Sequence, residues 1–316
     1  MIALLTDALG GLSLGDVLGW CGERGIAGVE LGVGGYSSAP HVDRATLVAD
    51  AGQRSALLEQ MESTGIRLVA LNASGNPLHP DLAVANEHDA ALREAIVLAG
   101  ELAVTRVVAM SGCPGGPGAP GGWPVFAGGA WLPDMEGLWE FQWAEIIQPY
   151  WEELSNWTTD RSPNVKICLE LHPGTSIYNA ASFNELRAAT GENVMVNLDP
   201  SHFWWQGIDP IGTIDAIGGE AIGFVHGKDT ILYPERIALS GLLDYRWPAD
   251  ADTMPWHFGA VGTGRPVSEW ALLLERLVDV GYSGPVSIEH EDPRLEPAAG
   301  VEASLAGLVA AGMAVA

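Results

Sequence analysis

A chain of 316 residues, 47% of them apolar, is long enough for a sizeable core and too apolar to be disordered throughout. Fifteen basic residues face forty acidic ones, and the formal charge of -25 repels phosphate backbones and anionic leaflets, which excludes nucleic acid and membrane surfaces as partners. The three cysteines, Cys21, Cys113 and Cys168, lack metal-ligand spacing, no 18-residue apolar span occurs, and the start of the chain reads as a strand rather than a leader. A cytoplasmic location is therefore expected.

Ile2 to Leu5 is the first expected strand, and Leu12 to Glu23 carries apolar residues at helical spacing up to Gly25. Ile26 to Leu31 forms a second strand, Arg44 to Ser63 a long helix, and Arg67 to Leu71 a third strand. Asp89 to Leu102 is helical, and Arg106 to Met110 is the fourth strand. Gly112 to Pro133 is rich in Gly and Pro, with Trp123, Phe126 and Trp131 between them, and cannot be a helix or a central strand. Met135 to Trp157 is helical and aromatic. Lys166 to Glu170 is the fifth strand, Ala181 to Thr190 a helix capped by Asn179 or Ser182, and Val194 to Asp199 the sixth strand. Ile211 to Ile217 is a short helix and Ala221 to His226 the seventh strand. A second excursion, Thr230 to Gly264, again carries Pro and aromatics. A helix from Val267, an eighth strand from Val286 to Glu289 and a closing helix from Glu302 complete the chain.

Eight strand-length apolar runs alternating with helices predict an α/β fold, a (β/α)8 TIM barrel in one domain over residues 1–316. The stretches 111–135 and 230–262 are expected as long loops on its C-terminal, active face. An open doubly wound sheet is the alternative. No Gly-x-Gly-x-x-Gly follows the first strand, so a dinucleotide fold has no support. Gly262-Thr263-Gly264 reads as a tight turn before a helix.

The last four strands share one grammar. Leu169-Glu170-Leu171-His172-Pro173-Gly174, Asn197-Leu198-Asp199-Pro200-Ser201-His202, Val225-His226-Gly227-Lys228-Asp229 and Ser287-Ile288-Glu289-His290-Glu291-Asp292 each deliver a metal-binding group at a strand end. Glu170, Asp199, His226 and Glu289 are the candidate ligands. Three hard oxygens and one imidazole suit Mn²⁺ or Mg²⁺ best, with Co²⁺ a further candidate. Such an ion polarises a carbonyl and stabilises the enediolate left when the neighbouring C–H proton departs. Glu170 and Glu289 are candidate bases, with His172 or His202 as alternatives in that role; His202 is also a candidate to bind or protonate a sugar oxygen, and Lys228 an oxyanion partner. Glu30, Asn72 and His79 follow earlier strands and are expected to line the pocket. His41, His88 and His257 are read as surface or packing residues, and Trp204 and Trp205 as candidate walls for a sugar face.

These four motifs resemble the xylose-isomerase-like TIM-barrel superfamily of sugar isomerases and epimerases. The likeness covers the C-terminal half by motif and the N-terminal half by strand–helix rhythm. It implies that Glu170, Asp199, His226 and Glu289 bind the metal, commonly Mn²⁺, that the two glutamates exchange the proton as in ketose 3-epimerases, and that His202 contacts a substrate oxygen. One departure is Leu232, at a position where those epimerases carry arginine. The chain also looks like the larger subunit of metal-dependent C-glycoside deglycosidases, lyases that remove the aglycone of a 3-keto-glycoside by β-elimination. The substrate is accordingly expected to be a sugar or keto-glycoside, with a homo-oligomer or a small second subunit as the protein partner. A phosphate-cutting endonuclease would want more histidines and a basic groove. A non-catalytic sugar-binding barrel would need no metal.

Overall fold

The computed structural model describes every residue except 119–121, 130–131, 245, 247–249 and 316. Trp131 thus lies outside the described residues. In chain order the elements that matter are β1 (Ile2–Leu5), α1 (Leu14–Glu23), β2 (Gly28–Gly32), α2 (Arg44–Ala49), α3 (Ala51–Thr64), β3 (Arg67–Asn72), α4 (Leu82–Glu101), β4 (Arg106–Met110), α5 (Leu138–Gln142), α6 (Gln148–Arg161), β5 (Lys166–Glu170), α7 (Ala180–Thr190), β6 (Val194–Leu198), α8 (Pro200–Trp204), α9 (Pro210–Ile217), β7 (Ile222–Gly227), β8 (Asp229–Leu232), α10 (Pro234–Ser240), β9 (Trp256–Gly259), α11 (Val267–Asp279), β10 (Val286–Ile288) and α12 (Pro297–Ala310).

Eight of the strands close into a parallel barrel in the order β1-β10-β7-β6-β5-β4-β3-β2. This is the (β/α)8 barrel that the alternation of apolar runs and helices predicts. The main core lies between the strands and the surrounding helices, where Trp151, Phe183, Phe203 and Trp270 are fully buried. A second, smaller core plugs the barrel interior with Ala70, Val108, Cys168 and Phe224. Side chains two residues apart on a strand share a face. Asn72, Glu170 and His226 stand two positions beyond Ala70, Cys168 and Phe224, so they point into the barrel one layer above the plug. The barrel is apolar at its base and polar at its C-terminal rim for that reason.

The strand register slips at two points, between Val29 and Glu30 in β2 and between Val196 and Asn197 in β6. Such irregularities re-aim side chains near functional sites. Both precede residues of the polar layer.

Several stretches differ from the sequence expectation, among them α4, which starts at Leu82 rather than Asp89, and α12, which starts at Pro297 rather than Glu302. The helix expected over 44–63 breaks at Asp50, whose carboxylate accepts from Gly52 N and Gln53 N and caps α3. The helix expected over 135–157 is α5, a wider π turn over Trp143–Ile147, and α6. Pro149 has no N–H for the regular ladder, and the ladder widens just ahead of it. The excursion after β7 is not irregular throughout, because β8 and β9 pair as an antiparallel ribbon with Ile231 opposite His257 and Leu232 opposite Trp256. At the entrance to α7 both suggested caps act together: Asn179 accepts from Ser182 N and Ser182 Oγ accepts from Asn179 N.

Candidate metal centre

Glu170 ends β5, Asp199 follows β6 as the N-cap of α8, His226 lies near the end of β7, and Glu289 follows β10. One ligand atom from each of the four lies within 4.8 Å of the other three. The strands that carry them, β5, β6, β7 and β10, are successive neighbours in the barrel. His226 Nδ1 is 3.2 Å from Glu170 Oε2 and 3.0 Å from Glu289 Oε2. Asp199 uses Oδ1 to accept from Ser201 N, whereas its Oδ2 is buried and makes no hydrogen bond.

Two further basic side chains converge on these carboxylates. Lys228 Nζ lies 2.6 Å from Glu289 Oε2, 2.8 Å from Glu291 Oε2 and 3.0 Å from Asp199 Oδ2. His202 Nε2 is 3.0 Å from Glu170 Oε1 and 3.3 Å from Asp199 Oδ2. Lys228 is only 2% exposed. A charge so deep survives only by pairing. Lys228 is therefore not half of a solvated pair with Asp229. That carboxylate turns away and accepts from Gly262 N, Gly264 N, Arg265 N and Trp270 Nε1.

The protonation states follow from the same contacts. Burial opposes charge on Glu289, but Lys228 and His226 outweigh it and draw its carboxyl down to about 2. Burial likewise opposes charge on Glu170, and the hydrogen bonds of His202 and His226 hold it well below the usual carboxylate range. Burial works against protonating His226, yet Glu30 and Glu289 raise it well above the ordinary histidine value. Lys228 is raised too, because Asp199, Glu289 and Glu291 overcome its desolvation. His172 behaves oppositely. Burial and the nearby His202 push it down to about 3, and it stays neutral. Its ring centroid lies 4.1 Å from that of His202.

This arrangement fits a bound dication. The cluster gathers three carboxylates around an imidazole, and the buried Asp199 Oδ2 makes no hydrogen bond and is faced by Lys228 and His202. Glu170, Asp199, His226 and Glu289 could hold such an ion.

A supporting layer lies beneath. Glu30 is fully buried and takes hydrogen bonds from Asn72 Nδ2 at 2.8 Å and Ser287 Oγ at 2.7 Å. Its Oε2 faces His226 Nε2 at 3.2 Å. A carboxylate behind a ligating histidine fixes the ring and raises its basicity. Asn197 Nδ2 donates to Glu170 Oε2 at 3.3 Å. Glu30 and Asn72 thus support His226 from within the barrel rather than line a pocket. His79 accepts from Asp81 N at the surface and takes no part. Sequence reasoning missed Ser287 and Asn197, although strand alternation puts Asn197 on the same face as Met195 and two residues before Asp199.

Beside the cluster opens a cavity of about 550 Å³ lined by His172, Pro173, His202, Trp205, Leu242, Leu243, Asp244, Trp256 and Phe258. Trp205 stacks on Trp256 with centroids 4.6 Å apart and planes at 10°. Its neighbour Trp204 instead packs edge-on against Trp270 in the core.

A family model described as xylose isomerase-like TIM barrel matches residues 18–311. The chain belongs to that family. The chain is 34% identical over 310 residues to the uncharacterised protein YfiH of Bacillus subtilis (strain 168), covering 97% of both. Among solved structures it is similar to the IolI protein with a bound zinc atom, at 20% identity and TM-score 0.63 over 98% of this chain and 97% of that one. It is also similar to the 3-keto-D-glucoside 4-epimerase YcjR of E. coli, at 14% identity and TM-score 0.59 over 94% and 93%. These two likenesses concern the fold.

Proposed function

We propose that this protein is a divalent-metal-dependent enzyme that isomerises or epimerises a sugar or keto-sugar by moving a proton at the carbon beside a carbonyl. The observation that supports it best is the pairing of two ionised glutamates, Glu170 and Glu289, against the same nitrogen of His226, with Asp199 completing the cluster. Membership of the family supports it further, as do a zinc-bearing neighbour and an epimerase of a keto-glucoside with the same fold.

Glu170, Asp199, His226 and Glu289 would hold the metal. Mn²⁺ is the preferred ion for three oxygens and one imidazole, and Mg²⁺ or Co²⁺ would serve. When bound, the ion supplies Lewis-acid polarisation of the carbonyl and offsets negative charge on its oxygen. The chain's own groups do the proton work. Glu170 and Glu289 are held ionised, the state from which a base starts. One removes the proton beside the carbonyl and becomes the acid; the other, once it has taken up a proton from solvent, delivers that proton to the carbon, and the first releases its own to solvent to reset the pair. His202 binds or protonates a substrate oxygen from between Glu170 and Asp199. Lys228 steadies the oxyanion, and neutral His172 packs behind His202 and keeps water from that side.

The test offers Mn²⁺-loaded protein a panel of ketoses and 3-keto-glycosides in D₂O. Deuterium at the carbon beside the carbonyl, together with an isomer or epimer, is the expected result. Release of an aglycone instead would replace this reading by β-elimination. Absence of exchange with every substrate would overturn the reading.

A further inference from the structure

We infer that the cavity beside the carboxylate cluster is a binding subsite for a flat apolar substituent, so that the substrate is a sugar carrying an aromatic group rather than a bare monosaccharide. The inference rests on the reading of the cluster as the carbonyl end of the site. The two halves share walls. His202 touches Glu170 and Asp199 on one side and lines the cavity on the other. Phe258 sets its edge against the His202 ring at 5.3 Å and carries Lys228 Nζ over its face at 4.5 Å. A ligand that reaches from the carboxylates into the cavity therefore passes from charged groups to indole within one ring's width.

The apolar half is built for a plane. Trp205 and Trp256 stack face to face, and Trp256 also meets Phe258 edge-on at 5.4 Å. The Trp256 indole is fixed by donating Nε1–H to Leu242 O at 2.9 Å. Leu242 and Leu243 extend the apolar lining, and Leu243 is 86% exposed at the mouth. Among the described lining residues the one carboxylate, Asp244, is paired with Arg246 and so does not favour a cationic guest. About 550 Å³ is within the range of roughly 300–1,000 Å³ that holds a drug-sized ligand. Offset or edge contacts between aromatic rings add to plain burial. Three aromatic rings within reach of one guest favour a ring over an alkyl chain of equal area. All of them except Trp205 lie on the ribbon strand β9, which returns directly toward the metal-bearing end of β7 through its partner β8.

Calorimetric titration tests this with 4-nitrophenyl β-D-glucopyranoside and methyl β-D-glucopyranoside as probes, with and without Mn²⁺. The aryl glucoside is expected to bind about tenfold or more tightly than the methyl glucoside. Leu243→Asp, a change at an exposed position that leaves folding intact, and Trp256→Ala are each expected to remove most of that advantage while leaving the methyl glucoside unchanged. Equal affinities in the unaltered protein, or an advantage that survives both substitutions, would overturn the inference. Mn²⁺ binding and deuterium exchange are read separately, so loss of the metal reading leaves the aryl preference standing, and loss of the preference leaves the metal reading standing.

Discussion

His226 Nε2 stands 3.2 Å from Glu30 Oε2 at a depth where both side chains are closed to solvent. The two residues are 196 positions apart in the chain and meet because β2 and β7 point polar side chains into the same barrel layer. Glu30 keeps Nδ1 of the ring turned toward the other carboxylates. Replacing a carboxylate behind a ligating histidine weakens metal binding by about 10–100-fold. Glu30→Gln is expected to lower Mn²⁺ affinity by that amount with an unchanged circular dichroism spectrum, as measured by calorimetry. Unchanged affinity would count against the histidine as a ligand.

The state of His226 sets how affinity depends on pH. In the metal-free protein this imidazole is held protonated by Glu30 and Glu289 against its burial. A ligating histidine is neutral, so uptake of a divalent ion releases a proton. Mn²⁺ affinity is expected to rise with pH across the neutral range, and the calorimetric heat is expected to vary with the ionisation enthalpy of the buffer. A buffer-independent heat would contradict this.

Lys228 neutralises the same carboxylates when no ion is present. Removing one partner of a buried charge set costs about 3–5 kcal/mol. Lys228→Met is expected to lower the melting temperature of metal-free protein markedly, and excess Mn²⁺ is expected to restore most of the loss. At one hundred times its Kd, a ligand adds about 2.7 kcal/mol. Thermal melts of the variant with EDTA and with Mn²⁺ measure both effects.

Substitution of the two proposed bases separates chemistry from binding. Glu170→Gln and Glu289→Gln are each expected to reduce deuterium exchange by about 10²–10⁴-fold. His202→Gln keeps a hydrogen-bonding group in place and is expected to cost less in exchange than in substrate affinity. Exchange rates and KM values for the three variants check the ranking.

His172 gives the acid limb of stability a definite sign. Its value is about 3 in the folded protein, below the ordinary histidine value of 6.5. Between those values the unfolded chain binds a proton that the folded one refuses, so stability falls as pH drops through that window. The slope from one such group is at most about 1.4 kcal/mol per pH unit. In urea titrations of metal-free protein from pH 7 to pH 4, His172→Gln is expected to lose less stability than the unaltered chain. Parallel curves would show that His172 protonates freely in the native state.

The barrel and the clustering of the four proposed ligands were legible because each signal is local. A parallel strand buried on both faces is a short apolar run, and the four clustered side chains end such runs in order: Glu170, Asp199, His226 and Glu289. What could not be read is what crosses the barrel. Nothing near Glu30 in the sequence refers to His226, and nothing near Ser287 marks it as the partner of Glu30. The fate of Lys228 and Asp229 was hidden for the same reason. As chain neighbours they look like an ion pair, yet strand alternation sends one into the carboxylates and the other to the opposite side. The division between Trp204 and Trp205 is set by the short turn of α8, which buries the first against Trp270 and presents the second to Trp256.

Asp229 closes a loop of chain at its base. It opens β8, and its carboxylate grips the backbone of Gly262, Gly264 and Arg265 just past the end of β9. The stretch between is thereby hinged shut at its root, independently of what it contains. The clasp fixes where β9 returns, and with it the position of Phe258 against His202 and Lys228. A single buried carboxylate thus anchors the wall that faces His202 and Lys228.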